Sequence, residues 1–200
     1  MKQVLFGTRN ETRKEYVKEI LKDLDIEVLS LNDLGINKKV KEYANSEKEN
    51  SLLKAIEYYK ESKIPTFSID AGLYIDSFPE NRQPGAFVRR VFGDLREATD
   101  DEMLQYYITE LKKHGGQSKG RWRIALSLVV SLDEVYTTTF ERETLFTVEI
   151  CKKRTKGEPL NSIQIDPKTG RYEAELTPIE RKQSQQELSE HIIEFMNIHL

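Results

Sequence analysis

Phe67-Ser68-Ile69-Asp70-Ala71-Gly72-Leu73-Tyr74-Ile75-Asp76 is the stretch that decides the fold. Pro65 precedes it. A β-rich apolar run then leads into a lone carboxylate, a pair of small residues and a second apolar run. The pattern reads as a buried strand that delivers Asp70 at its carboxyl end, with Gly72 as a bend. Ligands of α/β proteins sit outside such strand ends, and Ala71-Gly72 lets another group come close to the backbone. The competing reading is a turn in which Asp70 satisfies nearby N–H groups. The flanking segments bear on which of the two holds.

Upstream, Val4-Leu5-Phe6 is a short buried strand closed by Gly7, and Thr8-Arg9-Asn10 is a loop of residues that favour caps and turns. Tyr16, Val17, Ile20, Leu21 and Leu24 follow in helical spacing, which predicts a helix from about Glu11 to Asp23. Strand, polar loop, helix start is a layout that presents backbone N–H groups to an anion. Arg13 lies four and seven residues before Val17 and Ile20, on the inward side of the first turn. The helix dipole disfavours a cation there. An arriving phosphate resolves the conflict; the alternative is a side chain bent out to solvent.

Ile26 to Leu31 alternates as a second strand, and Asn32 to Tyr43 is a polar loop. A helix from about Glu47 to Glu61 carries Leu52, Leu53, Ile56 and Tyr59 on its apolar face. Glu49 falls at the top of that face, and a buried carboxylate needs a partner such as a metal ion. Ser46-Glu47-Lys48-Glu49 also matches a capping box, in which Glu49 bonds back to the Ser46 N–H. Lys54 shares a neighbouring face with Asn50 and reads as a solvated charge.

Downstream, Pro84-Gly85 marks a turn, and Arg89-Arg90 is a cationic pair fit either for surface ion pairs or for clamping phosphate. Thr99-Asp100-Asp101-Glu102 is a second capping box. It opens a helix with Met103, Leu104, Tyr107, Ile108 and Leu111 on one face, ended by His114-Gly115-Gly116. Arg123 to Leu132 and Val135 to Cys151 read as strands joined by a tight turn at Asp133-Glu134. Lys152 to Arg171 is polar and turn-rich. A last helix begins near Gln185 and packs through Leu188, Ile192, Phe195 and Met196. No repeat or linker divides the chain, so residues 1–200 are expected to form a single α/β domain.

Composition narrows the function classes. With 38% hydrophobic and 32% charged residues, the 200-residue chain is globular and not disordered. Its net charge of -3 gives no general grip on a nucleic-acid polymer. No apolar run approaches the roughly 20 residues that span a bilayer, and the apolar start is too short for a signal peptide. The expected compartment is therefore the cytoplasm, with no membrane partner. Cys151 is the one cysteine, so no internal disulfide forms; a buried, small apolar role suits it.

Together the motifs resemble the inosine-triphosphate pyrophosphatase family, enzymes that hydrolyse aberrant purine nucleoside triphosphates. That family's T-x-N-x-x-K loop is matched by Thr8-Arg9-Asn10-Glu11-Thr12-Arg13, and its E-N-x-x-x-K-A helix start by Glu49-Asn50-Ser51-Leu52-Leu53-Lys54-Ala55. D-D-S-G-L appears as Ile69-Asp70-Ala71-Gly72-Leu73, P-G-x-x-x-x-R as Pro84 to Arg90, and A-E-L-T as Ala174-Glu175-Leu176-Thr177. Order and spacing agree over nearly the whole chain.

The resemblance implies an α/β fold with a long mixed central sheet flanked by helices, two lobes with a cleft between them, and a homodimer. It also implies a nucleoside triphosphate substrate cut to nucleoside monophosphate and pyrophosphate. Thr8, Asn10 and Arg13 would hold the triphosphate, with Ala71, Gly72 and Arg90 also facing substrate. Glu49 and Asp70 would ligate Mg²⁺. Asp70 would orient or deprotonate the attacking water, and Lys54 would neutralise phosphate charge. The chain departs from the pattern in four places. Ile69 replaces the first Asp, Arg13 replaces the loop Lys (Lys14 stands beside it), and Gln185-Gln186-Glu187 falls where S-H-R reads the purine. The G-Y-D-P segment survives only as Lys156-Gly157-Glu158-Pro159 or as Ile165-Asp166-Pro167. Those departures allow a second expectation, a nucleotide-binding relative without turnover.

Overall fold

In the computed structural model, which describes residues 1–93 and 96–200, six strands form one sheet in the order β2-β1-β3-β4-β5-β6. They are β1 (Lys2–Phe6), β2 (Ile26–Ser30), β3 (Thr66–Ile75), β4 (Gln117–Val129), β5 (Val135–Thr147) and β6 (Gln164–Ile165). The helices are α1 (Glu11–Leu21), α2 (Glu47–Ser62), α3 (Asp100–Lys113), α4 (Pro178–Ser184) and α5 (Gln186–His199). β1 runs parallel to β2 and to β3, whereas β6 pairs antiparallel with β5. The sheet is therefore mixed and the fold α/β, as the sequence predicts. Among the described residues, no helix is long and apolar enough to cross a membrane.

Short-range chemistry sets most of the element boundaries. Asn10 caps α1 by accepting from the Arg13 N–H at 3.0 Å. Thr99 and Glu102 form the full capping box of α3. At α2 only half of the expected box exists: Ser46 Oγ accepts from Glu49 N at 3.2 Å, and no return bond from the Glu49 side chain is made. α2 ends on Lys63 in the left-handed region at φ 58°, whose N–H bonds to Tyr59 O at 2.8 Å.

Three expectations are corrected. β3 runs unbroken from Thr66 to Ile75, so Gly72 is a buried strand residue and not a bend. α1 stops at Leu21, where the Leu24 N–H folds back onto Leu21 O at 3.0 Å. β4 begins at Gln117, ahead of Arg123. Its first half alternates Lys and Arg with Ser, Gly and Trp, and only its second half is the apolar run that a search for buried strands detects.

The chain packs as two compact units: Met1–Ala71 with Ile124–Phe140 and Leu188–Leu200, and Gly72–Arg123 with Glu141–Glu187. In the first unit, Leu5, Leu31, Ile36, Val40 and Tyr58 form one core cluster, and Phe6 stacks on Phe67 with centroids 4.5 Å apart. Its α5 segment carries His199, which stacks on Tyr136 of β5 at 4.1 Å. In the second unit, one face of α3 (Met103, Leu104, Tyr107, Ile108, Leu111) packs with Leu73, Ile75, Phe78, Phe146, Leu160 and Ile163. Gly120 lets two strands of this unit close up. A Cβ there would stand 2.8 Å from the Tyr74 carbonyl oxygen and 2.9 Å from the Phe146 ring. A backbone oxygen cannot swing aside, so Gly120→Ala should lower stability by about 1–3 kcal/mol, read as a shift of the urea midpoint.

Candidate functional site

The site begins where β1 ends. Leu5 and Phe6 pair with Thr66 and Phe67, after which β1 stops and β3 continues. Asp70, three residues on from Phe67, lies beyond the carboxyl end of β1 rather than at the end of its own strand. The sequence reading set Asp70 at the end of its own strand, whereas β3 continues past it. Ala71 is half-buried and Gly72 buried, both within β3.

Gly7 turns the chain out of β1. Its N–H donates to Phe67 O at 2.8 Å, and an added Cβ would meet the Tyr58 ring at 2.8 Å. In the loop that follows, Thr8 Oγ1 accepts from Asn10 N at 3.2 Å, and Asn10 Oδ1 caps α1. Each side chain uses an acceptor to shape the loop, which leaves the Thr8 O–H and the Asn10 NH₂ as donors to a ligand. Thr8, Arg9, Ser30, Leu31 and Asn32 line a pocket of about 240 Å³ at the ends of β1 and β2. Arg13 is exposed, not inward as its spacing suggested, yet its charge still acts on Asp70.

α2 supplies the second half. Its buried positions are Glu47, Asn50, Ser51, Lys54, Ala55 and Tyr58, whereas Leu52, Leu53, Ile56 and Tyr59 are only half-buried. The inward stripe is largely polar, so counting apolar residues finds the wrong face. Asn50 and Ser51 are each hydrogen-bonded there. The Asn50 amide exchanges two hydrogen bonds with the Ala44 backbone, at 3.1 and 3.3 Å, and Ser51 Oγ lies 2.6 Å from Ser127 Oγ. Glu49, expected to be buried, is exposed, and its side chain makes no hydrogen bond or ion pair with a described residue. The buried acid of this turn is Glu47, at 1% exposure.

Lys54, read from the helix as a solvated charge, is buried, and its Nζ meets three oxygens, the first two by hydrogen bond and the third by ion pairing. They are Asp70 Oδ1 at 3.1 Å, Ile69 O at 3.2 Å and Glu42 Oε1 at 3.3 Å. Of the three N–H donors of the ammonium, two are engaged by Asp70 and Ile69, and Glu42 is held to it by charge. Ile69 contributes through its carbonyl, whatever its side chain. Asp70 is 8% exposed, and its Oδ2 is buried with no hydrogen-bond partner among the described residues. Burial pushes its carboxyl above the ordinary range; the Lys54 ammonium pulls it down, Glu42 pushes it up and Arg13 pulls it down.

Glu42 escaped the sequence reading. It sits in an irregular loop with no periodicity, and its one signal was an acid in a lysine-rich segment, Lys38 to Lys41.

The structure also separates the two arginines of the second unit. Arg89 is tied to the fold: it donates to Asp100 Oδ1 at 3.0 Å, Ala98 O at 3.3 Å and Gly157 O at 2.5 Å. The Gly157 N–H, bonded to Asp100 at 2.7 Å, does most to hold that carboxyl below the usual range, and Arg89 adds to it. Arg90 lies over the Phe87 ring at 4.9 Å. Both G-Y-D-P remnants shape loops, Gly157 as just described and Asp166 by accepting from the Lys168 and Thr169 N–H groups at 2.7 and 3.0 Å. In place of S-H-R, the Gln185 N–H closes α4, and Glu187 pairs with Lys168. Cys151 is buried, and burial raises its thiol, in keeping with a packing role.

Residues 4–186 match the model of the Ham1 family. The chain belongs to the Ham1 family. Among its relatives, a dITP/XTP pyrophosphatase of Clostridium tetani is 31% identical over 147 residues, covering 72% of this chain and 70% of that protein. A dITP/XTP pyrophosphatase of Bacillus subtilis is 28% identical over 138 residues, covering 68% of each. A HAM1 protein from Coxiella burnetii superposes with a TM-score of 0.81 at 23% identity, over 97% of this chain and 100% of that one. The Staphylococcus aureus Ham1 protein gives 0.77 at 17% identity, over 96% and 98%. Both share the fold of this Ham1-family chain.

The Lys54–Asp70 pair makes a direct prediction. Lys54→Met strands a buried carboxylate and should cost about 3–5 kcal/mol in urea unfolding. Adding Asp70→Asn to that variant should recover most of the loss, because the uncompensated charge is gone.

Proposed function

We propose that this Ham1-family protein is a nucleoside-triphosphate pyrophosphatase that uses Mg²⁺ and acts on triphosphates such as those of xanthosine and deoxyinosine. The observation that carries the reading is Asp70: a buried carboxylate, held by one oxygen on Lys54, with the other unpartnered beyond the end of β1. The names of the Clostridium tetani and Bacillus subtilis relatives supply the substrate class.

The residues present suit a divalent ion. A buried, unpartnered carboxylate oxygen is costly unless a cation meets it. Among the described residues, no group of three or more His, Cys, Asp or Glu gathers to cage a metal. Mg²⁺ takes one or two carboxylates and leaves its other positions to water and phosphate. Asp70 and Glu42, both on Lys54, are the acids that would hold it. The sequence-based candidate Glu49, exposed and out of contact with Lys54, gives way to Glu42. When bound, the ion neutralises phosphate oxygens as negative charge builds on the leaving group.

The protein's own part is positioning and proton handling. The Thr8 hydroxyl, the Asn10 amide and Arg13 bind phosphate oxygens at the mouth of α1. Asp70 orients a water toward the α-phosphorus. The water oxygen bonds to phosphorus, the α–β bridging bond breaks, pyrophosphate departs with the bonding electrons, and Asp70 accepts the water's proton. A carboxyl pushed upward by burial takes a proton more readily than an ordinary one. Lys54 keeps Asp70 in place through two of its three N–H donors, and its charge serves to offset that of phosphate.

With Mg²⁺, the purified protein should release pyrophosphate from xanthosine or deoxyinosine triphosphate, and Asp70→Asn should lower kcat by about 10²–10⁴-fold. A wild-type protein inert on both substrates would overturn the proposal.

A pH prediction follows from the raised Asp70 carboxyl. Between the ordinary value of 3.8 and its raised native value, the folded state holds the proton that the unfolded state has released. Wild-type stability should therefore fall, relative to Asp70→Asn, as pH rises through that window. Thermal unfolding of both proteins from pH 4 to pH 7 measures it, and parallel curves would refute it.

A further inference from the structure

Residues 31–45 cross the first unit without helix or strand, yet they deliver Glu42 to Lys54. Their buried side chains, Leu31, Ile36 and Val40, enter the core cluster with Leu5 and Tyr58. Side-chain packing of that kind fixes depth, but not the path of the exposed backbone between Ile36 and Ala44. Hydrogen bonds to main-chain atoms do that.

At the far end, Asn50 grips both backbone groups of Ala44. At the near end stands Arg9. Its guanidinium donates to the carbonyls of Asn37 and Lys38, the second at 2.8 Å. Tyr58 Oη donates to the same Lys38 carbonyl at 3.3 Å, and Lys38 Nζ pairs with Glu57 at 2.7 Å. Glu42 lies between the two anchors. Arg9 itself sits between Thr8 and Asn10, the side chains assigned to phosphate. One side chain therefore ties the phosphate loop to the segment that carries the second acid.

We propose that Arg9 is a positioning residue, which clamps residues 37–42 to the phosphate loop and so sets where Glu42 stands beside Asp70. The inference rests on the pyrophosphatase reading for its effect on catalysis, but the clamp itself is testable without turnover. Arg suits the task because its planar fork presents several donors to two successive carbonyls. Lysine, with a single ammonium on a shorter stem, retains part of the contact.

The test compares wild type, Arg9→Met, Arg9→Lys, Glu42→Gln and the Arg9→Met/Glu42→Gln double variant. Hydrogen–deuterium exchange is followed for peptides covering residues 36–44 and, as a folding control, residues 2–6. In Arg9→Met, exchange over 36–44 should rise about tenfold with β1 unchanged, and Arg9→Lys should fall between it and wild type. The Mg²⁺ concentration for half-maximal pyrophosphate release should rise about 10-fold in Arg9→Met, the scale of a lost outer partner of a metal ligand. In the Glu42→Gln background the same change should add less than about twofold, because a residue that acts through Glu42 has nothing left to position.

Unchanged exchange over 36–44 overturns the clamp. A raised nucleotide KM at saturating Mg²⁺, with the Mg²⁺ midpoint unmoved, overturns positioning in favour of direct phosphate contact. If Arg9→Met loses β1 protection as well, Arg9→Lys alone decides, and wild-type exchange in that variant refutes the proposal. Absence of turnover in wild type defeats the pyrophosphatase reading and the catalytic half of this one, while the exchange data still decide whether the clamp exists.

Discussion

Lys54 and Asp70 meet at 3.1 Å in a place where each is about nine-tenths out of water. Neither charge would be tolerated there alone, since an isolated buried ion is among the costliest features a fold can contain. The pair is also incomplete. Lys54 donates to Asp70 Oδ1 and Ile69 O and pairs with Glu42, but Asp70 Oδ2 is buried with no hydrogen-bond partner among the described residues. A purely structural ion pair has no reason to keep that defect. An oxygen left in that state is one that a cation or a water would satisfy.

The remainder of the first unit supports this pair. α2 turns a polar stripe inward, and hydroxyl groups continue it: Ser51 to Ser127 at 2.6 Å, then Ser127 to Thr137 at 3.0 Å. Such contacts specify position more sharply than apolar packing does, because they fail if a partner slips. They fix the rotation of α2, and with it the direction in which Lys54 points. The irregular segment before α2 is held in the same way, through main-chain carbonyls as well as by the burial of Leu31, Ile36 and Val40. Gly7 completes the arrangement by letting the chain leave β1 directly over Tyr58.

In the second unit, charged side chains serve loops instead. Arg89, Asp100 and Gly157 close one circuit, and Asp166 nucleates a turn with the Lys168 and Thr169 N–H groups. Arg142 pairs with Glu173 at 3.0 Å, with Glu173 almost fully buried. These positions lie in the region where the motifs of the inosine-triphosphate pyrophosphatases fade from the sequence. Charge has not disappeared there; it holds backbone.

Local rules survived the passage from sequence to structure. The caps at Asn10, Ser46 and Thr99, the short β1, the apolar face of α3 and the α/β class all depend on neighbours within a few residues or on simple periodicity, so the chain displays them directly. Asp70, Lys54 and the Thr8–Arg13 loop were equally visible as motif positions. Long-range contact decided the rest. The inner face of α2 is polar and invisible to hydropathy, and it made Lys54 buried and Glu49 exposed. β3 outruns β1, which only strand pairing reveals, and that places Asp70 beyond the end of β1. Glu42 belongs to a segment without pattern, and it stands beside Asp70 because it pairs with the Lys54 ammonium, twelve residues along the chain.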